Sequence, residues 1–147
     1  MIELADRAEI EALIYEHAWL VDNHQSETLY KLYTENGRLR LPGSLVEGRE
    51  ALKKYGTDRA AMKGRAARHV CTNLRLVAEA PGRLRGTSVA TLYRHDGEGY
   101  GPAVAVAVAD LEDTYVRDSD GRWRIEERCV RLAFESPEHR TPYKGAA

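Results

Sequence analysis

The sequence predicts an α+β fold in which helices come first and long antiparallel strands follow. Three observations carry this reading. Residues 5–21 place Ile10, Leu13, Ile14, Ala18 and Val21 at three- and four-residue spacings, the period of an amphipathic helix. From Arg68 onward the texture changes to strand-like runs separated by the turn signals Ala80-Pro81-Gly82 and Asp118-Ser119-Asp120-Gly121. The helical segments precede those strands instead of alternating with them, which separates this chain from a βαβ architecture. Its 147 residues suffice for one domain with a real core, set here at residues 1–135 with a tail at 136–147.

The first helix spans Ala5 to Val21, and its acids fall mainly in the first turns, where the positive end of the helix dipole favours them. Asp22-Asn23-His24-Gln25-Ser26 is helix-boundary chemistry. A second, short helix runs from Ser26 to Thr34 with Leu29, Leu32 and Tyr33 inward, and Asn36-Gly37 is its stop signal. Arg38 to Leu41 alternates like a short strand and is broken by Pro42-Gly43. Ser44 to Gly48 leads into a third helix, Arg49 to Met62, with Gly56 and Thr57 in its middle.

Four long strands follow: His69 to Ala78, Arg83 to Arg94, Ala103 to Arg117 and Arg122 to Glu135. In the third, Val104, Val106 and Val108 alternate with Ala105, Ala107 and Ala109, so both faces accept apolar surroundings. That suits a central strand packed on helices on one side and facing a dry space on the other. The tail holds Pro137, Pro142 and Gly145 and reads as loosely held or packed across a neighbour.

Composition excludes several functions. With 22 basic and 23 acidic residues the net charge is -1, unlike the strongly basic footprint of a nucleic-acid-binding domain. No apolar run approaches the ~18 residues of a membrane span, and the charged N-terminus does not read as a signal peptide. A cytoplasmic protein with reduced thiols is expected, although sequence leaves a Cys71–Cys129 disulfide open. The five histidines show no compact ligand spacing joined to Cys or acid, so no metal site is expected. Cys71 and Cys129 read as small core or cavity-wall residues.

The chemistry-bearing oddity is Asp22. At 3.6 residues per turn Tyr15, Ala18, Trp19 and Asp22 share one side of the helix, so a carboxylate closes an aromatic stripe. Taken by itself, Asp22 serves simply as a helix boundary residue. If buried, its charge needs a partner, and the family resemblance given below implies that this partner is His69. Asp22 accepting from one ring nitrogen would fix the tautomer of His69 and stabilise its imidazolium, as a proton-abstracting base requires. The bland alternative is a hydrogen bond that only braces the corner between helix and strand. Tyr15, Trp19, Val104, Val106 and Leu132 are expected to wall a pocket for a small apolar or aromatic molecule. Arg128 and Arg131 cannot both face inward on the last strand; solvent exposure is their ordinary fate, and one facing inward, with Arg128 counted among the substrate-binding residues, would bind an anionic leaving group or a substrate carboxylate.

Val21-Asp22-Asn23-His24-Gln25, His69-Val70-Cys71-Thr72-Asn73-Leu74, Asp120-Gly121-Arg122-Trp123-Arg124-Ile125 and Val46-Glu47-Gly48-Arg49-Glu50-Ala51-Leu52 occur in that family's layout: together they resemble the SnoaL-like branch of the nuclear transport factor 2-like superfamily. The resemblance implies a cone-shaped α+β barrel, cystatin-like, with three N-terminal helices packed on a strongly curved, mostly antiparallel sheet and an apolar cavity open at one end. Scytalone dehydratase and the hexachlorocyclohexane dehydrochlorinase are similar in motif layout, and there an Asp ending the first helix orients a His that acts as base. By position these are Asp22 and His69. The tyrosine pair of the dehydratase has no counterpart, because Val21 and Leu41 stand near those positions, and His95 reads as an exposed turn residue. The resemblance implies a cofactor-independent lyase or isomerase and a homo-oligomer, dimer or trimer. A second expectation is a non-catalytic ligand-binding or assembly protein resembling the small subunit of ring-hydroxylating dioxygenases.

Overall fold

Helix α1 runs Leu4–Asp22 and buries Ile10, Leu13, Ile14, His17, Leu20 and Val21, an inward stripe at helical spacing. At about 100° per residue Tyr15 and Trp19 fall on the opposite side of the helix from that stripe. The computed structural model describes residues 1–139. The end of α1 is closed by Asn23, whose backbone and side-chain N–H groups both donate to Trp19 O at 3.0 and 2.9 Å. His24 takes the left-handed conformation that turns the chain (φ 57°).

A 3-10 helix, Ser26–Leu32, follows, then β1 (Tyr33–Leu41), β2 (Ser44–Glu47), α2 (Arg49–Ala60), β3 (Arg65–Ala80), β4 (Arg83–Asp96), β5 (Ala107–Arg117) and β6 (Trp123–Glu135). The six strands form one curved sheet in the order β2-β1-β6-β5-β4-β3, with three helical segments against it. All neighbouring pairs are antiparallel except β1 with β6. The predicted α+β class and the three helices are therefore those of the structure.

Several boundaries differ, each for a local reason. Asn36-Gly37 does not stop a helix; it lies inside β1, where the register with β6 shifts between Tyr33 and Arg38. A Cβ on Gly37 would come within 2.7 Å of Tyr33 Cβ, so glycine lets the strand fold over its own tyrosine at the bulge. The lead-in expected at Ser44 to Gly48 contains the edge strand β2, whose four residues are too few to show a periodicity. The strand expected from Ala103 begins at Ala107. In β3 the register with β4 slips between Thr72 and Arg75, and Asn73 sits there with φ 60°. Such a bulge bends a strand and adds twist, which helps β3 wrap toward α1.

The core gathers Ile10, Leu29, Leu39, Leu52, Tyr115 and Ile125, all essentially inaccessible to solvent. α2 docks on the 3-10 helix so tightly that a Cβ on Gly56 would lie 2.0 Å from Ser26 O. Ser26 Oγ donates to Gly56 O at 2.7 Å across the same junction. Gly56→Ala is expected to destabilise the fold by about 3 kcal/mol, the upper range for overpacking, and to lower Tm by roughly 10 °C in a thermal melt. An unchanged Tm would mean that the two segments separate easily.

Cys71 and Cys129 are free thiols. Their strands β3 and β6 are three positions apart in the sheet, about 14 Å at ordinary strand spacing and beyond the reach of a disulfide. Among the described residues no helix is long and apolar enough to cross a membrane. Of the expected tail, Ser136 N donates to Val106 O and Pro137–His139 forms a 3-10 turn; residues 140–147 lie outside the described residues.

Candidate functional site

Between α1 and the concave face of the sheet lies a cavity of about 220 Å³. Its space originates in sequence: Ala90, Ala107 and Ala109 present only methyl groups where larger side chains would fill the volume. Val21, Leu41 and Leu132 add apolar wall, and the polar groups that reach it include His17, Tyr55, His69 and Arg128.

Asp22, buried at the last turn of α1, uses both carboxylate oxygens on one residue of β3. Oδ2 accepts the backbone N–H of His69 at 2.8 Å, and Oδ1 accepts from the ring Nδ1 at 2.6 Å. Main chain and ring are thereby held by the same carboxylate. With Nδ1–H given to Asp22, the neutral imidazole keeps its lone pair on Nε2.

Behind this pair sits His17, buried, with Nε2 2.9 Å from the Tyr33 hydroxyl. Burial, helped by the Arg128 charge and by His69, holds His17 well below the ordinary imidazole range, so its ring is neutral. Burial pushes the Tyr33 phenol far up, so its hydroxyl stays protonated in the hydrogen bond it shares with His17. An unfolded chain lets residue 17 take a proton below pH of about 6.5, whereas the folded chain resists it. The unfolded state therefore binds more protons in that window, and stability present above it is lost as pH falls. His17→Gln, which keeps an acceptor for Tyr33, is expected to lose about 1 kcal/mol less than the parent between pH 6.5 and 5.5 in urea unfolding. Parallel pH curves would show that this ring is protonated in the fold.

On β6, Arg128 is only 3% exposed. Its Nε lies 3.0 Å from Asp113 Oδ1 and its Nη2 2.8 Å from Asp113 Oδ2, while Tyr115 O–H donates to Asp113 Oδ2 at 2.6 Å. Burial works against the guanidinium charge, but the Asp113 carboxylate outweighs it and holds Arg128 above its ordinary value. Nη1 takes no part in that pair, and Arg128 lines the cavity. Arg131 faces outward and pairs with Glu112 at 3.1 Å.

The structure brings together Asp22, His69, Arg128 and Leu132 of the residues singled out in the sequence. It corrects four others. Tyr15 and Trp19 are 55% and 49% exposed, because they lie on the side of α1 opposite its buried residues; of the stripe expected to face inward only Ala18 lines the cavity, and Asp22 is buried where β3 crosses the end of the helix. Val104 is 64% exposed in the segment before β5. Val106 is buried but does not line the cavity, since its backbone bridges Leu92 and Ser136 instead. The Val/Ala alternation was real, and its alanine parity is the one that faces in. His95 lies at the end of β4 as a turn-proximal residue, with its ring near Glu98 O.

Sequence reasoning missed His17, Tyr55 and Asp113. His17 continues the Ile10, Leu13, Ile14 spacing and was legible as an inward polar residue. Asp113 shares its parity with Ala109, Leu111 and Tyr115 and stands directly across from Arg128, a cross-strand pair of opposite charge.

Comparison with known proteins identifies the family and the fold. The model of the SnoaL-like domain family matches residues 2–129. No curated protein is similar enough in sequence to count as a match. Among solved structures, Rv3472 of Mycobacterium tuberculosis, a protein of unknown function, is 21% identical with a TM-score of 0.78, covering 99% of this chain and 87% of its own. A putative scytalone dehydratase from Novosphingobium aromaticivorans is 20% identical, with a TM-score of 0.76 over 90% of this chain and 87% of that one. A nuclear transport factor 2-like protein with a cystatin-like fold from the same organism is 23% identical, with a TM-score of 0.76 over 92% and 86%. At such identities the likeness concerns the fold. With nearly the whole chain matched, the protein belongs to the SnoaL-like domain family and has the nuclear transport factor 2-like, cystatin-like fold.

Proposed function

We propose that this protein is a cofactor-independent lyase or isomerase in which His69 removes a proton from a small, largely apolar cyclic substrate. The observation that carries the reading is the Asp22 carboxylate holding both the main chain and the Nδ1 side of His69 at the wall of an apolar cavity. His69 Nε2 takes the proton, and Asp22 stabilises the imidazolium that results. The electron pair of the broken C–H bond either forms a new C=C bond as a leaving group departs with its own pair, or moves onto a neighbouring carbonyl oxygen as an enolate. Arg128, kept cationic by Asp113, meets the anion formed in either case.

The name of one similar structure, a putative scytalone dehydratase, supports this class of reaction. Val21 and Leu41 both line the cavity, so a water held by paired tyrosines at those positions is not part of the mechanism proposed for this chain. The test is proton exchange in D2O with cyclic ketones and cyclic halides, followed by NMR. Exchange or halide release that disappears in His69→Ala supports the base; ligand binding with neither reaction in the parent protein assigns a binding role instead.

A further inference from the structure

Helix α2 buries Leu52, Gly56, Arg59 and Ala60, so a guanidinium occupies a position on the face that packs inward. Arg59 is only 8% exposed, and its Nη1 has no hydrogen-bond partner among the described residues. A buried donor left unpaired is costly, and a charged one more so. Arg59 lines a second compartment of about 280 Å³, which shares Val21, Tyr55, His69 and Leu92 with the alanine-floored cavity. The two compartments therefore lie side by side with His69 in the wall they share.

The rest of this wall is also cationic, but its other guanidinium groups are hydrogen-bonded to a carboxylate. Arg65 Nε lies 3.1 Å from Asp96 Oδ1, and Arg94 reaches the same carboxylate. Asp58, the acid on this wall, is paired with Lys54 at 2.6 Å. Burial and the charges of Arg65 and Arg94 lower the proton affinity of Arg59 against the opposing effect of Tyr55 and Asp22, and an entering anion would restore it. What remains is the Arg59 guanidinium, whose Nη1 has no hydrogen-bond partner among the described residues. A singly charged planar group fits it in shape and in charge, and a carboxylate is that group.

We propose that Arg59 binds a carboxylate of the substrate, so that the substrate is an apolar cyclic acid whose ring lies over Ala90, Ala107 and Ala109. His69, on the wall common to both compartments, then stands beside the carbons that join ring and carboxylate. This inference rests on the reading of the cavity as a substrate site.

The experiment is an NMR titration of the full chain with benzoate and with benzamide, a neutral isostere. Benzoate is expected to bind about tenfold more tightly, as a charge-assisted pair in a partly dry site should give. In Arg59→Gln the preference disappears while benzamide affinity is kept, and in Arg59→Lys part of it returns. Equal affinities in the parent protein overturn the carboxylate subsite and leave the cavity reading standing; binding of neither probe overturns both. A benzoate preference that survives in Arg59→Gln moves the anion to another residue and overturns the assignment. Should Arg59→Gln fail to fold, the Arg59 Nε–H resonance of the parent decides: a shift with benzoate alone supports the proposal, and its absence refutes it. Loss of proton exchange chemistry with the benzoate preference intact would sink the catalytic reading alone.

Discussion

His69→Ala is expected to reduce proton exchange or elimination by about 10³-fold or more, within the usual worth of a positioned general base. The structure places the imidazole at the cavity wall with the Asp22 carboxylate on its Nδ1, and alanine leaves no group in its place to receive a proton. Asp22→Asn tests the other half. The amide keeps an oxygen that can accept the His69 backbone N–H, but it withdraws the negative charge that would stabilise the imidazolium. A loss of about 10²-fold with near-parental substrate affinity is therefore expected. The measurement is the exchange rate at saturating substrate, with binding followed separately by NMR. If Asp22→Asn matches the parent in rate, the carboxylate only braces the corner between α1 and β3.

The second large effect concerns stability. Asp113 and Arg128 are nearly inaccessible, and each answers the other's charge across neighbouring positions of β5 and β6. Asp113→Asn removes the anion and leaves Arg128 charged in the interior, with the Tyr115 hydroxyl on a weaker acceptor. Breaking one side of a buried pair costs about 3–5 kcal/mol, so Tm should fall by roughly 10–15 °C. The double variant Asp113→Leu with Arg128→Met should recover much of that loss, because replacing both charges by apolar groups removes their desolvation penalty. Thermal melts of the three proteins decide. A double variant as unstable as the single one would show that the pair stabilises beyond charge neutralisation.

These residues also show how much the sequence disclosed. The apolar spacing of α1 and the turn signals between the long strands sufficed for the fold class, because both are local. Asp22 and His69 stood out as oddities in local patterns, and the resemblance joined them across 47 positions. The direction of Arg128 was not readable, since a β bulge can reverse parity and the sheet partners of a strand are set by tertiary pairing. Asp113 carries no signal of burial in the sequence, because acids are usually solvated; its register opposite Arg128 explains it. Tyr15 and Trp19 were drawn inward by their aromatic character, whereas α1 turns its Ile10, Leu13 and His17 side to the core.

β3 is the outermost strand on its side of the sheet, and its His69 amide is answered by a side chain in place of another strand. The same carboxylate that sets the imidazole thus also shields one backbone proton from water. Deuterium uptake at the His69 amide is consequently a clock for the site: each opening of the helix end that lets the ring turn away also exposes that proton. Its exchange rate reads out how often the base is out of place, in the resting protein and without any substrate.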